Sequence, residues 1–236
     1  MSIAKTDFED PAQAAARLAK ERIKAEAKRL YGHIGDGPLK AARYLAQTLF
    51  KDVRYGNRPY FEHLEHVALE QMKGPQPYGH RVVAGYLHDL LEDIEGWTAQ
   101  DLLDIGFPKY TVDIIVAVTK QEGELYFDAM QRVSLNAEAI HVKLADLGMN
   151  SNARGLPRAP TEKDLGRLQK YWMAQRYLEA VRDGEIKPGS CPVEFITKNI
   201  DAFAKDESHK QQLLAILHAE TSASPVAPTP QERHAA

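Results

Sequence analysis

The chain has 236 residues, 44% of them hydrophobic, and a formal net charge of -3. That is enough apolar content for one sizeable core and too little positive charge for a strongly basic nucleic-acid surface, so no nucleic-acid partner is expected. The single cysteine, Cys191, excludes an intramolecular disulfide and a cysteine-only zinc site; the opening segment carries charge throughout, and no apolar run could span a bilayer, so a cytoplasmic protein without membrane contact is expected.

In chain order, a loose start gives way to PAQAAARLAKERIKAEAKRLYGHIG, which opens with Pro and is rich in Ala, Lys, Arg and Glu, the composition of a helix. PLKAARYLAQTLF, PYFEHLEHVALEQMK and GHRVVAGYLHDLLEDI read as the next three helices, each bounded by Gly or Pro. TAQDLLDIG follows with a Thr cap and a closing Gly106, and then KYTVDIIVAVTK, whose Val and Ile content also suits a strand. LYFDAMQRVSLN, AEAIHVKLADLGMN and TEKDLGRLQKYWMAQRYLEAVRDG continue the helical series. CPVEFITKNIDAFAKDESHKQQLLAILHAE supplies one or two more helices, and TSASPVAPTPQERHAA, with no apolar periodicity, is expected to be disordered. No βαβ rhythm or internal repeat appears, so the class is all-α.

Within the fourth helix, Val83, Leu87, Leu90, Leu91 and Ile94 share one arc, while His88, Asp89, Glu92 and Asp93 fall on the other. Such a polar side suits an ordinary solvated helix face. It also suits a metal site, because imidazole nitrogen and carboxylate oxygen both bind Mn, Fe or Zn, provided further ligands come from elsewhere. His63 and His66 on the preceding helix are candidates. Downstream, Asp146 and Asn150 lie one turn apart, and Asp146 is flanked by Leu144, Ala145 and Leu147, which suits a salt-bridged, half-buried carboxylate or a ligand.

The order His63, His88-Asp89, Glu92-Asp93, Asp146 resembles that of HD-domain metal-dependent phosphohydrolases, and within them the hydrolase domain of RelA/SpoT-type alarmone enzymes. RYGNRPYFEHLEHVA supplies the basic residue (Arg54), the Pro59-Tyr60 pair, the ligand histidine (His63) and Val67-Ala68; AGYLHDLLEDI matches the HDxxED block; TAQDLLDIGFPKYTVDIIVAVTK and VKLADLGMN match the segments that follow. The likeness runs from about residue 40 to 180. It implies an HD-domain helical bundle in which His63, rather than His66, joins His88, Asp89 and Asp146 in holding one divalent ion, most often manganese, with Glu92 and Asp93 catalytic. Arg54, Lys143 and Asn150 are the implied substrate-binding residues, and Tyr126 and Arg132 match positions that shape the pocket in small members of the group.

The implied activity is hydrolysis of a nucleotide, with removal of the 3'-pyrophosphate of (p)ppGpp, the alarmone of the stringent response, as the first expectation. A further domain for alarmone synthesis is not expected. The chain departs from that branch in reading ADLGMNS for the usual ADRLHNM, so Leu147 and Met149 stand where Arg and His are usual. This keeps open another nucleotide, such as a 5'-mononucleotide, and a binding module without turnover is the reading from another class. The implied organisation is a helical extension over residues 1–39, the HD core over 40–185, a helical segment over 186–220 and a tail over 221–236, with oligomeric state left open.

Overall fold

Proline and glycine set several of the helix ends. In the computed structural model, which describes residues 10–73, 79–152 and 159–222, α1 (Pro11–Tyr31) starts on Pro11 with Asp10 as its cap, and α2 (Gly37–Leu49) starts on a Gly-Pro pair. A two-residue hairpin follows, β1 (Arg54–Tyr55) against β2 (Arg58–Pro59), with Gly56 at φ 57° in its turn. Then come α3 (Tyr60–Glu70), α4 (Gly79–Leu87), the single turn α5 (Leu90–Asp93), α6 (Ala99–Ile105) and α7 (Lys109–Val118). The second half holds α8 (Tyr126–Val133), α9 (Ala137–Asn150), α10 (Glu162–Arg182), α11 (Pro192–Lys198), α12 (Ile200–Phe203) and α13 (Glu207–Ser222). Thr98 and Thr161 close full capping boxes with Asp101 and Asp164, and Asn136 caps α9. The fold is all-α, and the Val- and Ile-rich stretch is helical.

The structure corrects four expectations. The helix read through GHRVVAGYLHDLLEDI breaks at His88-Asp89: the His88 imidazole donates from Nδ1 to the Gly85 carbonyl (2.8 Å), which the Asp89 amide would take in a continuing helix. The chain turns, and the Asp89 carbonyl accepts from Glu92 and Asp93 to restart as α5. The hairpin at Arg54 to Pro59 has strands too short to show alternation. The C-terminal segment forms three helices instead of one or two. Finally, the boundary expected at residues 39 and 40 falls inside α2, and α1, α11 and α13 contribute Ala27, Ile196, Leu213 and Leu217, each 0% exposed, to the same buried cluster as Leu64 and Leu87. The expected disordered tail lies outside the described residues beyond Ser222.

Helix α4 is central, packed by α2, α3, α7 and α9, and is buried from Val82 to Leu87. Its contact with α3 is backbone to backbone: a Cβ placed on Gly85 would lie 2.6 Å from the Ala68 Cα and 2.8 Å from its nitrogen. Any larger residue forces the two helices apart.

Asp101 docks α1 onto this frame. Its carboxylate, 6% exposed, accepts from Lys20 (2.7 Å) and Lys24 (2.8 Å) while it completes the α6 cap. Burial alone would raise its pKa, but Lys20, Lys24 and Thr98 outweigh burial and hold it well below the usual carboxylate range. Because the folded value is depressed, this stabilisation is present above the unfolded carboxylate pKa and is lost as pH falls through the folded one. Asp101→Ala is expected to lower stability by about 2 kcal/mol at neutral pH. In urea titrations repeated in acid, the deficit relative to the parent should shrink below about pH 4.

Candidate metal centre

The backbone contact at Gly85 and Ala68 brings two imidazoles together, with ring centroids 5.3 Å apart and planes tilted by 53°. His63, on α3 five residues before Ala68, and His88, three residues after Gly85, are each 2% exposed, and their Nε2 atoms lie 3.3 Å apart. Asp89 Oδ2 lies 2.9 Å from His88 Nε2 and 3.7 Å from His63 Nε2. His63, His88 and Asp89 each offer a ligand atom within 4.8 Å of the others. Asp146, carried in by α9 and 3% exposed, joins through the imidazoles, its Oδ1 3.3 Å from His63 Nε2 and 3.6 Å from His88 Nε2.

A surrounding layer holds these four in place. Tyr60 donates to Asp89 Oδ2 (2.6 Å), and the His88 Nδ1 bond to Gly85 leaves Nε2 turned toward the cluster. Tyr55 stacks on His63 at 5.0 Å and 18° between planes; the His63 Nδ1 is buried and without a hydrogen-bond partner among the described residues, so stacking orients this ring. Lys143 and Asn150 both serve Asp146, the ammonium donating to Oδ2 (2.7 Å) and the amide to Oδ1 (2.6 Å), while Tyr55 donates to the Asn150 carbonyl oxygen (3.0 Å).

The electrostatics follow from placing two carboxylates in a buried site. Burial opposes charge on His88, Asp89, Lys143 and Asp146, but it loses to the neighbours. Asp89 and Asp146 push the His88 pKa up to about 10, against desolvation. Asp146 likewise overcomes the burial of Lys143 and raises its pKa, so the ammonium stays charged. Both carboxyls are held below the usual range, Asp89 chiefly by His88 and Asp146 chiefly by Lys143. Tyr60 is pushed well above its ordinary value by burial and by Asp89, and remains a donor.

The acidic pair expected to be catalytic sits next to this cluster. Glu92 and Asp93 are half-buried on α5, and Glu92 Oε2 accepts from the Lys120 amide (3.0 Å) just beyond α7. Of the residues expected to bind substrate, Lys143 and Asn150 reach the cluster through Asp146. Arg54 does not: its side chain is exposed, with no hydrogen bond or ion pair among the described residues, and it is Tyr55, the next residue of β1, that stacks on His63. His66 is exposed, as is consistent with His63 holding the ligand position. Arg132 does not line the site; it donates to the Val116, Ala117 and Thr119 carbonyls at the end of α7 and pairs with Glu124 (2.7 Å). Tyr126 keeps a buried hydroxyl without a partner among the described residues, with Lys170 4.6 Å over its ring. Residue patterns did not single out the roles of Tyr55, Tyr60 and Lys120; only the Pro59-Tyr60 pair before His63 hinted at one of them.

The donor set fits a divalent cation. Ligand atoms at about 2.1 Å from one ion lie about 3.0 to 3.4 Å apart between octahedral and tetrahedral angles, and the distances of 2.9, 3.3 and 3.3 Å within the cluster fall at that spacing, with 3.6 and 3.7 Å just beyond it. The mutually close set, the imidazoles of His63 and His88 with the Asp89 carboxylate, suits manganese, iron or zinc, and Asp146 stands beside the two imidazoles as a candidate fourth donor. No known family model matches the chain, and no curated protein matches it.

Protein equilibrated with Mn²⁺ is therefore expected to retain about one equivalent and to unfold at higher temperature, with a gain of roughly 2.7 kcal/mol at a hundredfold excess over Kd. Asp89→Ala should lose both the retained metal and the shift, by elemental analysis and thermal melting. An equal shift in parent and variant would place the ion elsewhere.

Proposed function

We propose that this chain is an HD-domain metal-dependent phosphohydrolase acting on a nucleotide, with (p)ppGpp 3'-pyrophosphate as its first candidate substrate and manganese as its metal. The observation that carries this reading is the convergence of His63, His88, Asp89 and Asp146, with Glu92 and Asp93 one turn beyond on α5. Ionisable groups this deeply buried are costly unless they face one another for a purpose, and a cation held by four protein donors with an acid pair at its edge suits hydrolysis of a phosphate ester.

His63, His88, Asp89 and Asp146 would hold the ion. When bound, a divalent ion supplies Lewis acidity, drawing charge from phosphate oxygen and making water a better nucleophile at neutral pH. Glu92 and Asp93 orient the attacking water and accept its proton, and the Lys120 amide fixes the angle of Glu92. The water oxygen bonds to phosphorus as the bond to the ribose 3' oxygen breaks, and the proton finishes on that leaving oxygen. Lys143, kept charged by Asp146, adds positive charge beside the phosphate. Tyr60 and Tyr55 act as positioning residues through Asp89 and His63.

A second reading keeps the hydrolysis and changes the nucleotide. It is favoured by the substrate side: Leu147 is 1% exposed and belongs to the core, and Arg54 stands apart from the cluster, so two positive charges expected against a pyrophosphate are missing.

Manganese-loaded protein incubated with ppGpp and a panel of nucleoside mono-, di- and triphosphates is expected to release pyrophosphate from ppGpp. Glu92→Gln should lower the rate by about a hundredfold or more while retaining the metal. Turnover of another nucleotide with ppGpp untouched would select the second reading, and silence from metal-loaded protein across the panel would count against both.

A further inference from the structure

We infer that the chain has a second ligand site, for a small organic anion with an apolar or aromatic body, in the cavity where the N-termini of α2 and α7 meet the start of α4. The cavity has a volume of about 460 Å³, within the range of small-molecule sites. Val83, Phe107 and Leu39 form its floor, and Tyr31 and Tyr110 stand at its walls. None of the residues that line it is His63, His88, Asp89 or Asp146, although Val83 lies on the same helix as the approach to His88.

Two independent features give the ligand its charge. Neither α2 nor α7 has a side-chain cap: Asp36 makes no capping bond, and the residue before α7 is Pro108. Although Pro38 has no amide hydrogen and the Thr111 amide bonds the Pro108 carbonyl, Leu39 and Tyr110 line the cavity with amides that take no acceptor among the described residues, at the positive ends of the two helix dipoles. The second feature is Thr111, which lines the cavity at 2% exposure and whose hydroxyl has no hydrogen-bond partner among the described residues. Threonine hydroxyls in helices commonly bond back to a carbonyl one turn earlier, as Thr119 does to Ile115 (2.8 Å). Thr111 leaves its donor for something else. The one carboxylate at the rim, Asp36, is neutralised by Lys40 at 2.9 Å, so it does not repel an anion with a full charge. Three aromatic rings, Tyr31, Phe107 and Tyr110, then offer faces and edges to the ligand's apolar body, with Tyr31 and Phe107 packed edge to face at 5.2 Å.

The test uses the full chain and four probes of similar shape: benzoate, phenyl phosphate, benzyl alcohol and benzylamine. Amide NMR spectra are expected to show the two anions shifting Leu39, Tyr110 and Thr111, with the stronger of the two identifying a carboxylate or a phosphate ligand. Thr111→Val, which preserves shape, should weaken the anion about tenfold. Tyr110→Ala, at a position 59% exposed, should also weaken it without touching the core, and Asp89→Ala should leave it unchanged. Equal shifts from the neutral or cationic probe, shifts that centre on His63 and His88, or no shift at millimolar anion would each overturn the proposal.

Discussion

The site depends on one steric fact, the absence of a side chain at Gly85. Where α4 crosses α3 the two backbones touch at Ala68, and that approach sets how far His63 stands from His88. A side chain at residue 85 would separate the helices by a fraction of the ligand spacing, which is all the tolerance a metal site has. The same glycine also supplies the carbonyl that receives the His88 ring. Helix packing, the break in α4 and the orientation of the imidazole thus share a single residue.

That break also explains why four ionisable groups occupy six positions without lying on one face. A straight helix would spread them along one solvated side. The turn at His88-Asp89 directs His88 and Asp89 inward, and the restarted α5 leaves Glu92 and Asp93 half-buried at the margin. The inward groups form a neutral set when Lys143 and His88 are charged against Asp89 and Asp146, so the buried carboxylates are compensated by cations of the chain itself. A divalent ion would take over part of that compensation.

Much of the architecture was legible because it rests on local chemistry: Pro11 and the Gly37-Pro38 pair open helices, Thr98, Asn136 and Thr161 cap them, and Gly106 closes one. Asp146 stood out as a carboxylate in apolar surroundings and His88-Asp89 as part of a dense polar arc, whereas the choice of His63 over His66 came only from the resemblance to the HD pattern. What periodicity missed depends on side chain to backbone contacts or on very short elements. The His88 to Gly85 bond leaves the apolar arc through Ile94 intact, so the pattern reads through the break. The hairpin has two residues per strand, and it alone brings Tyr55 onto His63 and leaves Arg54 outside. The packing of α1 through Asp101 is likewise a contact between distant segments, invisible to spacing within either one.

The most direct test of the central claim is anomalous diffraction from crystals grown with Mn²⁺. A metal held by this cluster gives a single strong peak with His63 Nε2, His88 Nε2 and carboxylate oxygens of Asp89 and Asp146 at about 2.0 to 2.3 Å. Crystals that hold manganese only at other residues, or that show the cluster still closed by its own hydrogen bonds at saturating metal, would contradict it.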